Sequence, residues 1–293
     1  LLQGGSKVVG VLEASRASRL ASGWTGRPWQ LVGTRTKFPE VARYAFELAR
    51  HRVHYATGRA VTAIHGDDRV ESVTTAKLTA SWAPIAGTER RVEVDAVCLG
   101  HGWTPRLEIP LALGCALNDQ RFVAIDKSQR TSVPDVYAAG EITGIGGVDL
   151  ALAEGTIAGH VAAGGHIDDA ILAQSRSCRT TWRRFAARLS VAHGMGDQWM
   201  QWLTAETIVC RCEEVTVARL RTVARVTDSS GLRSLKLTSR AGLGICQGRM
   251  CGRTVEALLE AWTGGLDGDT TTDRRPVAVP VRLGELHVRE NDR

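Results

Sequence analysis

No stretch of this chain approaches the roughly 18 apolar residues that a membrane-spanning helix needs, so no transmembrane segment is expected. Its basic residues form no block interleaved with aromatics, which argues against nucleic-acid binding. The opening residues lack an initiator Met, and they lack the charged, apolar and small-residue order of a signal peptide. There is no internal repeat, no nucleophile elbow and no metal-hydrolase helix motif. The seven cysteines are an odd number, so an even disulfide framework is not indicated, and reduced thiols in the cytoplasm are the expectation. What is present is ordinary for a globular protein: 293 residues, 43% of them hydrophobic, with a formal charge of +6 carried mostly by scattered Arg. That is enough apolar material for two or three domains.

Four of the cysteines are unusually placed. "VCRCEEVTVARL", from Val209, holds Cys210 and Cys212 one residue apart, and "GICQGRMCG", from Gly244, holds Cys246 and Cys251 with four residues between them. Two thiolates this close can reach one metal centre, and folding can bring in the second pair. Zinc knuckles usually have about two to four residues within a pair. A cluster held by four thiolates tolerates more varied spacing. The pattern therefore favours a [2Fe-2S] cluster, with zinc and plain free thiols as alternatives. Cys98, Cys115 and Cys178 are isolated and read as small structural side chains.

The flanks support this reading. Val217, Leu220 and Val223 recur at helical spacing behind Thr216, a candidate N-terminal cap, and a second helix opens beside Cys251. Helix N-termini stabilise anionic groups. Gly242, Gly244 and Gly248 let the backbone approach the sulfurs. Arg211 and Arg249 are nearby cations, either tuning a cluster or simply lying on the surface.

"CRCEEVT" followed by "SRAGLGICQGRMCG" resembles the bacterioferritin-associated-ferredoxin-like [2Fe-2S] module. The form is the one appended to flavoprotein subunits of opine oxidases, hydrogen cyanide synthase and hydroxyproline or proline dehydrogenases. Upstream, "TSVPDVYAAGEITGIGG" reads as a Pro-marked turn, a short β-rich run and glycines opening a helix. It resembles the second flavin-binding motif of the two-dinucleotide-binding-domain flavoproteins. The resemblance implies FAD contacts from Gly140, Glu141, Gly144, Gly146 and Gly147, Glu141 being the acid near the ribityl and pyrophosphate groups. Its alternative role is a helix-capping carboxylate.

"SKVVGVLEAS" is an apolar strand whose terminal acid, Glu13, is placed to accept hydrogen bonds from ribose hydroxyls, although a strand-end Glu is commonplace. An amphipathic helix follows, with Val41, Ala45, Leu48 and Ala49 facing inward. A hairpin then turns at Gly66, Asp67 and Asp68, and "RRVEVDAVCLGHGWTP" returns as a buried strand. His101 and Trp103 lie on the crossover that the resemblance implies, near the flavin or as packing residues.

The expected fold is therefore α/β, the C-terminal portion of a Rossmann-like flavoprotein followed by a small, mainly helical [2Fe-2S] domain. Residues 1–100 form a partial NAD(P)-binding-like domain and 101–165 the C-terminal half of the FAD domain. A helical connector spans 166–205, the [2Fe-2S] domain 206–263 and an extended tail 264–293. The family's G-x-G-x-x-G loops are not in these residues, so the chain is expected to be part of a longer protein.

The resemblance implies an FAD- and [2Fe-2S]-containing electron-transfer component of a heteromeric amino-acid or opine dehydrogenase, partnered by an amine-oxidising flavoprotein (β) subunit. Further candidates are a small ferredoxin-like subunit as partner and peripheral membrane association as location. No substrate acid–base set is evident. The alternatives are an NAD(P)H-dependent flavoprotein reductase feeding the cluster and a non-catalytic cluster-bearing sensor.

Overall fold

The computed structural model describes residues 1–26, 28–228, 231–266 and 272–275. In chain order the named elements begin β1 (Gly10–Glu13), α1 (Ala17–Thr25), α2 (Phe38–Arg50), β2 (His54–Thr57), β3 (Arg59–His65), β4 (Ser72–Lys77) and β5 (Arg90–Glu93). They continue α3 (Glu108–Ala112), α4 (Val148–Ala162), α5 (Ala173–His193), β6 (Ile208–Cys210), β7 (Val215–Thr216), α6 (Val217–Val226), α7 (Leu232–Ser239) and α8 (Gly252–Thr263). Residues 1–105 and 125–202 form one compact unit, and 106–124 and 203–293 form another. No helix among the described residues is long and apolar enough to cross a membrane.

In the first unit β1 and β2 pair in parallel, Gly10 opposite His54 and Glu13 opposite Thr57, which makes a β-α-α-β crossover. The β3–β4–β5 meander is antiparallel. Its first turn requires glycine: Gly66 has φ 145°, and a Cβ there would lie 1.8 Å from the Arg69 carbonyl oxygen. Ala14, Ala60, Leu78 and Trp82 form a core with Trp199 and Trp202 packed against it.

Helix α5 packs on both α1 and α4. Gly23 of α1 allows the close approach, since a Cβ there would come within 2.8 Å of the Ala192 Cβ. Buried Arg188 of α5 donates to the carbonyls of Gly23, Trp24 and Gly26, groups at the end of α1 that have no partner within the helix.

Several expectations change here. Helix α2 forms, but it has no buried residue: Val41 is 62% exposed, Ala45 and Ala49 are exposed and Leu48 is half-buried. Among the named elements only the preceding segment Pro28–Lys37 packs against α2 to any extent, which leaves that face uncovered. β5 is a short, mostly exposed edge strand that stops at Glu93, so the return is not a buried strand, and Cys98 beyond it is exposed. The β-rich run before Gly140 reduces to an isolated bridge between Arg130 and Tyr137. The segment read as a connector contains α5, which belongs to the packing of the first unit.

One buried acid organises α4 and α5. Glu154, 1% exposed, accepts from Gly140 N–H at 3.0 Å and Thr143 Oγ1 at 2.7 Å through one oxygen. Its other oxygen accepts from Arg183 Nη2 at 2.7 Å and Nε at 3.0 Å. Arg183 also reaches Gln129 Oε1, 3.3 Å away.

In the second unit α6, α7 and α8 pack through Leu220, Val223, Leu235, Val255, Leu258 and Leu259, all buried. Thr216 caps α6 by accepting from Arg219 N–H at 3.2 Å. Buried Glu108, Glu256 and Asp273 are matched by arginines: Arg249 and Arg275 stand 2.9 and 3.4 Å from Glu108, Arg121 meets both Glu256 and Asp273, and Arg253 lies 3.2 Å from Asp273. Most of the tail read as extended, 264–293, lies outside the described residues.

Glu154→Ala strips a charged acceptor from Gly140, Thr143 and Arg183 at once. It is expected to lower unfolding free energy by roughly 3 kcal/mol in urea denaturation, against about 1 kcal/mol for removal of the exposed cap Glu141.

Candidate flavin loop and thiol centre

The glycine loop is set by backbone conformation. Gly140, Gly144 and Gly147 have φ of 81°, 152° and 82°, a region disfavoured for other residues, and Gly147 is the residue from which α4 starts. Glu141 Oε1 accepts from Gly147 N–H at 2.7 Å and from Gly146 N–H at 3.4 Å. Its carboxylate thus closes the α4 N-terminus, the capping role. The same N–H groups at the positive end of the helix are suited to any oxyanion.

Glu13 ends β1 as expected, with both oxygens engaged inside the chain. One accepts from Ser15 N–H at 2.8 Å, and the other lies 3.0 Å from His193 Nδ1 at the end of α5. His101 is solvent-accessible, yet its ring meets Trp82 and Trp202 edge-on, with centroids 5.8 and 5.5 Å away. This partial burial pushes its pKa down, opposed by the charge of Glu13. Trp103 is 81% exposed.

The four motif cysteines lie in the second unit as two pairs. Cys210 ends β6 and Cys251 caps α8, and both are buried; Cys246 is partly buried and Cys212 is exposed. Cys212 and Cys246 form one neighbouring thiol pair within hydrogen-bonding reach, and Cys210 and Cys251 form another. Burial works to raise the Cys246 pKa, but the N–H groups of Met250, Gly248 and Arg249, together with the Cys212 thiol, outweigh it and lower the pKa. Cys251 is pushed up to about 12 by burial and then by the adjacent Cys210.

Among the described residues no group of three or more His, Cys, Asp or Glu side chains is arranged around a single metal-ion position. The thiols instead form two pairs. Four thiols in two pairs, with backbone N–H groups turned toward a sulfur, are a donor set that suits a two-iron cluster better than one zinc ion.

Glycine makes this closeness possible. A Cβ at Gly244 would lie 2.2 Å from the Cys212 Cβ, and Gly242 and Gly248, with φ of 81° and 78°, pass each other closely. Arg211 is exposed, whereas the Arg249 side chain is only 9% exposed. Arg249 is therefore no surface cation. It is paired with Glu108, a residue to which no motif drew attention.

In the reduced, metal-free chain, dibromobimane is expected to bridge Cys212 and Cys246. Gly244→Ala should lower the bimane fluorescence several-fold and Cys246→Ser should abolish it.

The family described as pyridine nucleotide-disulphide oxidoreductase matches residues 5–163, which takes in the glycine loop and stops before the thiol centre. An opine oxidase subunit of Rhizobium meliloti is 33% identical over 237 residues, which are 76% of this chain and 43% of that protein. Hydrogen cyanide synthase subunit HcnB of Pseudomonas aeruginosa is 29% identical over 241 residues, 77% of this chain and 50% of that protein. The chain thus spans about half the length of the curated relatives it matches. Among solved structures, L-proline dehydrogenase from P. horikoshii has the same fold, with a TM-score of 0.61 at 19% identity over 85% of this chain and 48% of that one. With more than half of its length matched, a parallel β-α-α-β start and a glycine-opened α4, the chain belongs to the pyridine nucleotide-disulphide oxidoreductase family.

Proposed function

We propose that this chain is the flavin- and iron–sulfur-containing electron-transfer part of a heteromeric dehydrogenase that oxidises a C–N bond of an amino acid or opine. The observation that carries this reading is the pairing of Cys212 with Cys246 and of Cys210 with Cys251 beside the start of α8. Two of the similar proteins are named as subunits, which supports a partner protein for this one.

When bound, FAD would take electrons in pairs and a [2Fe-2S] cluster would pass them singly. The chain's residues supply the settings for each. Cys210 and Cys251 would hold the cluster from the buried side, and Cys212 and Cys246 from the side nearer solvent. The N–H groups of Gly248, Arg249 and Met250 offset the negative charge of thiolate at Cys246.

At the other site, Gly146 and Gly147 would offer their N–H groups to an anionic part of FAD once Glu141 turns away from them. Gly140 is held in place by Glu154. Glu13 would take ribose hydroxyls only by releasing Ser15 or His193.

The family match favours one second reading, an NAD(P)H-dependent reductase. Stopped-flow mixing with NADH separates the two: a relay shows no rapid bleaching of flavin, and a reductase does.

Iron and acid-labile sulfide are expected at roughly two each per chain after anaerobic purification. Cys212→Ser should abolish the visible charge-transfer bands. Cys178→Ser should leave them unchanged, since the Cys178 thiol faces the Asp149 carbonyl 3.9 Å away on α4. One zinc without sulfide would overturn the cluster. Co-expression with an amine-oxidising flavoprotein should yield a complex, and turnover of amino acids or opines by this chain alone would contradict the relay.

A further inference from the structure

We infer that Glu108, from the distant segment 106–124, is the positioning residue for the thiol loop 246–251 and acts through Arg249. The inference rests on the proposed thiol centre for its significance, but its geometry belongs to the chain itself. Glu108 sits on α3, is 7% exposed, and turns its Oε1 toward three arginines. Arg249 Nε is 2.9 Å away, Arg275 Nε 3.4 Å and Arg106 Nη1 3.8 Å. The contact with Arg249 is an ion pair rather than an aligned hydrogen bond.

Arg249 lies inside the loop, between Cys246 and Cys251. Its Nη1 donates to Gln247 Oε1 at 2.7 Å and to the Cys246 carbonyl at 3.4 Å. One guanidinium thus ties the start of the loop to a buried carboxylate about 140 residues earlier in the chain. That tether braces a curl that the Arg249 N–H also closes by donating to the Cys246 carbonyl at 3.0 Å, and in which the N–H groups of Gly248 and Met250 approach the Cys246 sulfur. Gln247 has φ of 52°, a region disfavoured for a residue with a Cβ, so the curl is not one the backbone adopts freely there, whereas Gly248 takes its φ of 78° without strain. A planar, always-charged fork suits this task, because it can meet a carboxylate at one edge and two further acceptors at another.

The same buried network provides an internal control. Glu256 is also buried and paired with Arg121, and it accepts from Thr272 N–H, but none of these residues lies in the loop. A general loss of buried charge pairing would follow from changing either acid. Glu256 reaches Glu108 only indirectly, through Arg121, Asp273 and Arg275, so a positioning role predicts an effect on the loop from Glu108 that Glu256 does not share.

The test uses the 293-residue chain, co-produced with the amine-oxidising flavoprotein of the proposed function. In protein produced without iron, hydrogen exchange over residues 246–251 is expected to quicken on the order of tenfold in Glu108→Gln, with Glu108→Asp recovering most of the protection. Glu256→Gln should lower the unfolding midpoint while leaving exchange over 246–251 at the unaltered rate. In iron-loaded protein, Glu108→Gln should change the reduced-state electron paramagnetic resonance spectrum and quicken iron release to a chelator, and Glu256→Gln should do neither.

Should Glu108→Gln fail to fold, Arg249→Lys keeps the charge but gives up the forked contacts, and it should loosen the same six residues. Unchanged loop exchange in the folded variant, or equal loosening by Glu256→Gln, would overturn the inference. If the unaltered protein takes up no iron, the proposed function fails, while the exchange comparison still decides the role of Glu108.

Discussion

A carboxylate with 1% of its surface exposed is tenable only when its charge is answered on every side, and Glu154 meets that condition from three directions. Arg183 approaches one oxygen from α5, and the Gly140 N–H and Thr143 hydroxyl approach the other from the glycine loop. Because Glu154 itself projects from α4, a single side chain fixes the spacing of two helices and the loop that precedes them. The loop conformation presented to an oxyanion is therefore tied to helix packing. Glu141 can cap α4 because Gly140, its neighbour, is held by Glu154.

The second unit solves a harder problem by related means. Three buried acids, Glu108, Glu256 and Asp273, are surrounded by Arg121, Arg249, Arg253 and Arg275. A buried ion-pair network adds little stability over an apolar core of the same shape. It does impose direction, since each guanidinium must face its carboxylate, and α3, the thiol loop and the start of α8 are oriented by those demands.

Legibility in the sequence follows the range of the forces involved. Helices α4, α5, α6 and α8 were visible because apolar periodicity, caps and glycines act within a few residues. Thr216 is an example, a cap read from its neighbours and found bonded to the Arg219 N–H. Thiol spacing is itself a chemical signal, and it drew attention to Cys210, Cys212, Cys246 and Cys251, but which cysteine pairs with which, Cys212 with Cys246 and Cys210 with Cys251, no spacing could give. Glu108 gave no signal, since its two nearest partners, Arg249 and Arg275, are about 140 and 170 residues away, and no local pattern marks an acid that will be buried among arginines. Arg249 could be suspected from its place between two cysteines, but whether it was buried or at the surface depended on Glu108. The face of α2 was misread for the same reason. Its periodicity is real, but burial requires a partner surface, and only the short segment Pro28–Lys37 packs against it to any extent.

The thiol centre joins these strands of argument, because its two pairs sit in opposite environments. Cys210 and Cys251 are 1% and 2% exposed, and there burial keeps the Cys251 thiol protonated. Cys246 lies where backbone N–H groups more than offset burial, beside exposed Cys212. Cys251 is thus shifted up by desolvation, whereas at Cys246 the hydrogen bonds together outweigh it. On the proposed reading, negative charge in a bound cluster would be better stabilised on the N–H-rich, solvent-facing side. The curl that supplies those N–H groups is the feature held by Arg249 and Glu108. The surroundings of Cys246 thus depend on backbone shape, and its loop is braced through Arg249 by Glu108, a residue the cysteine motif does not contain.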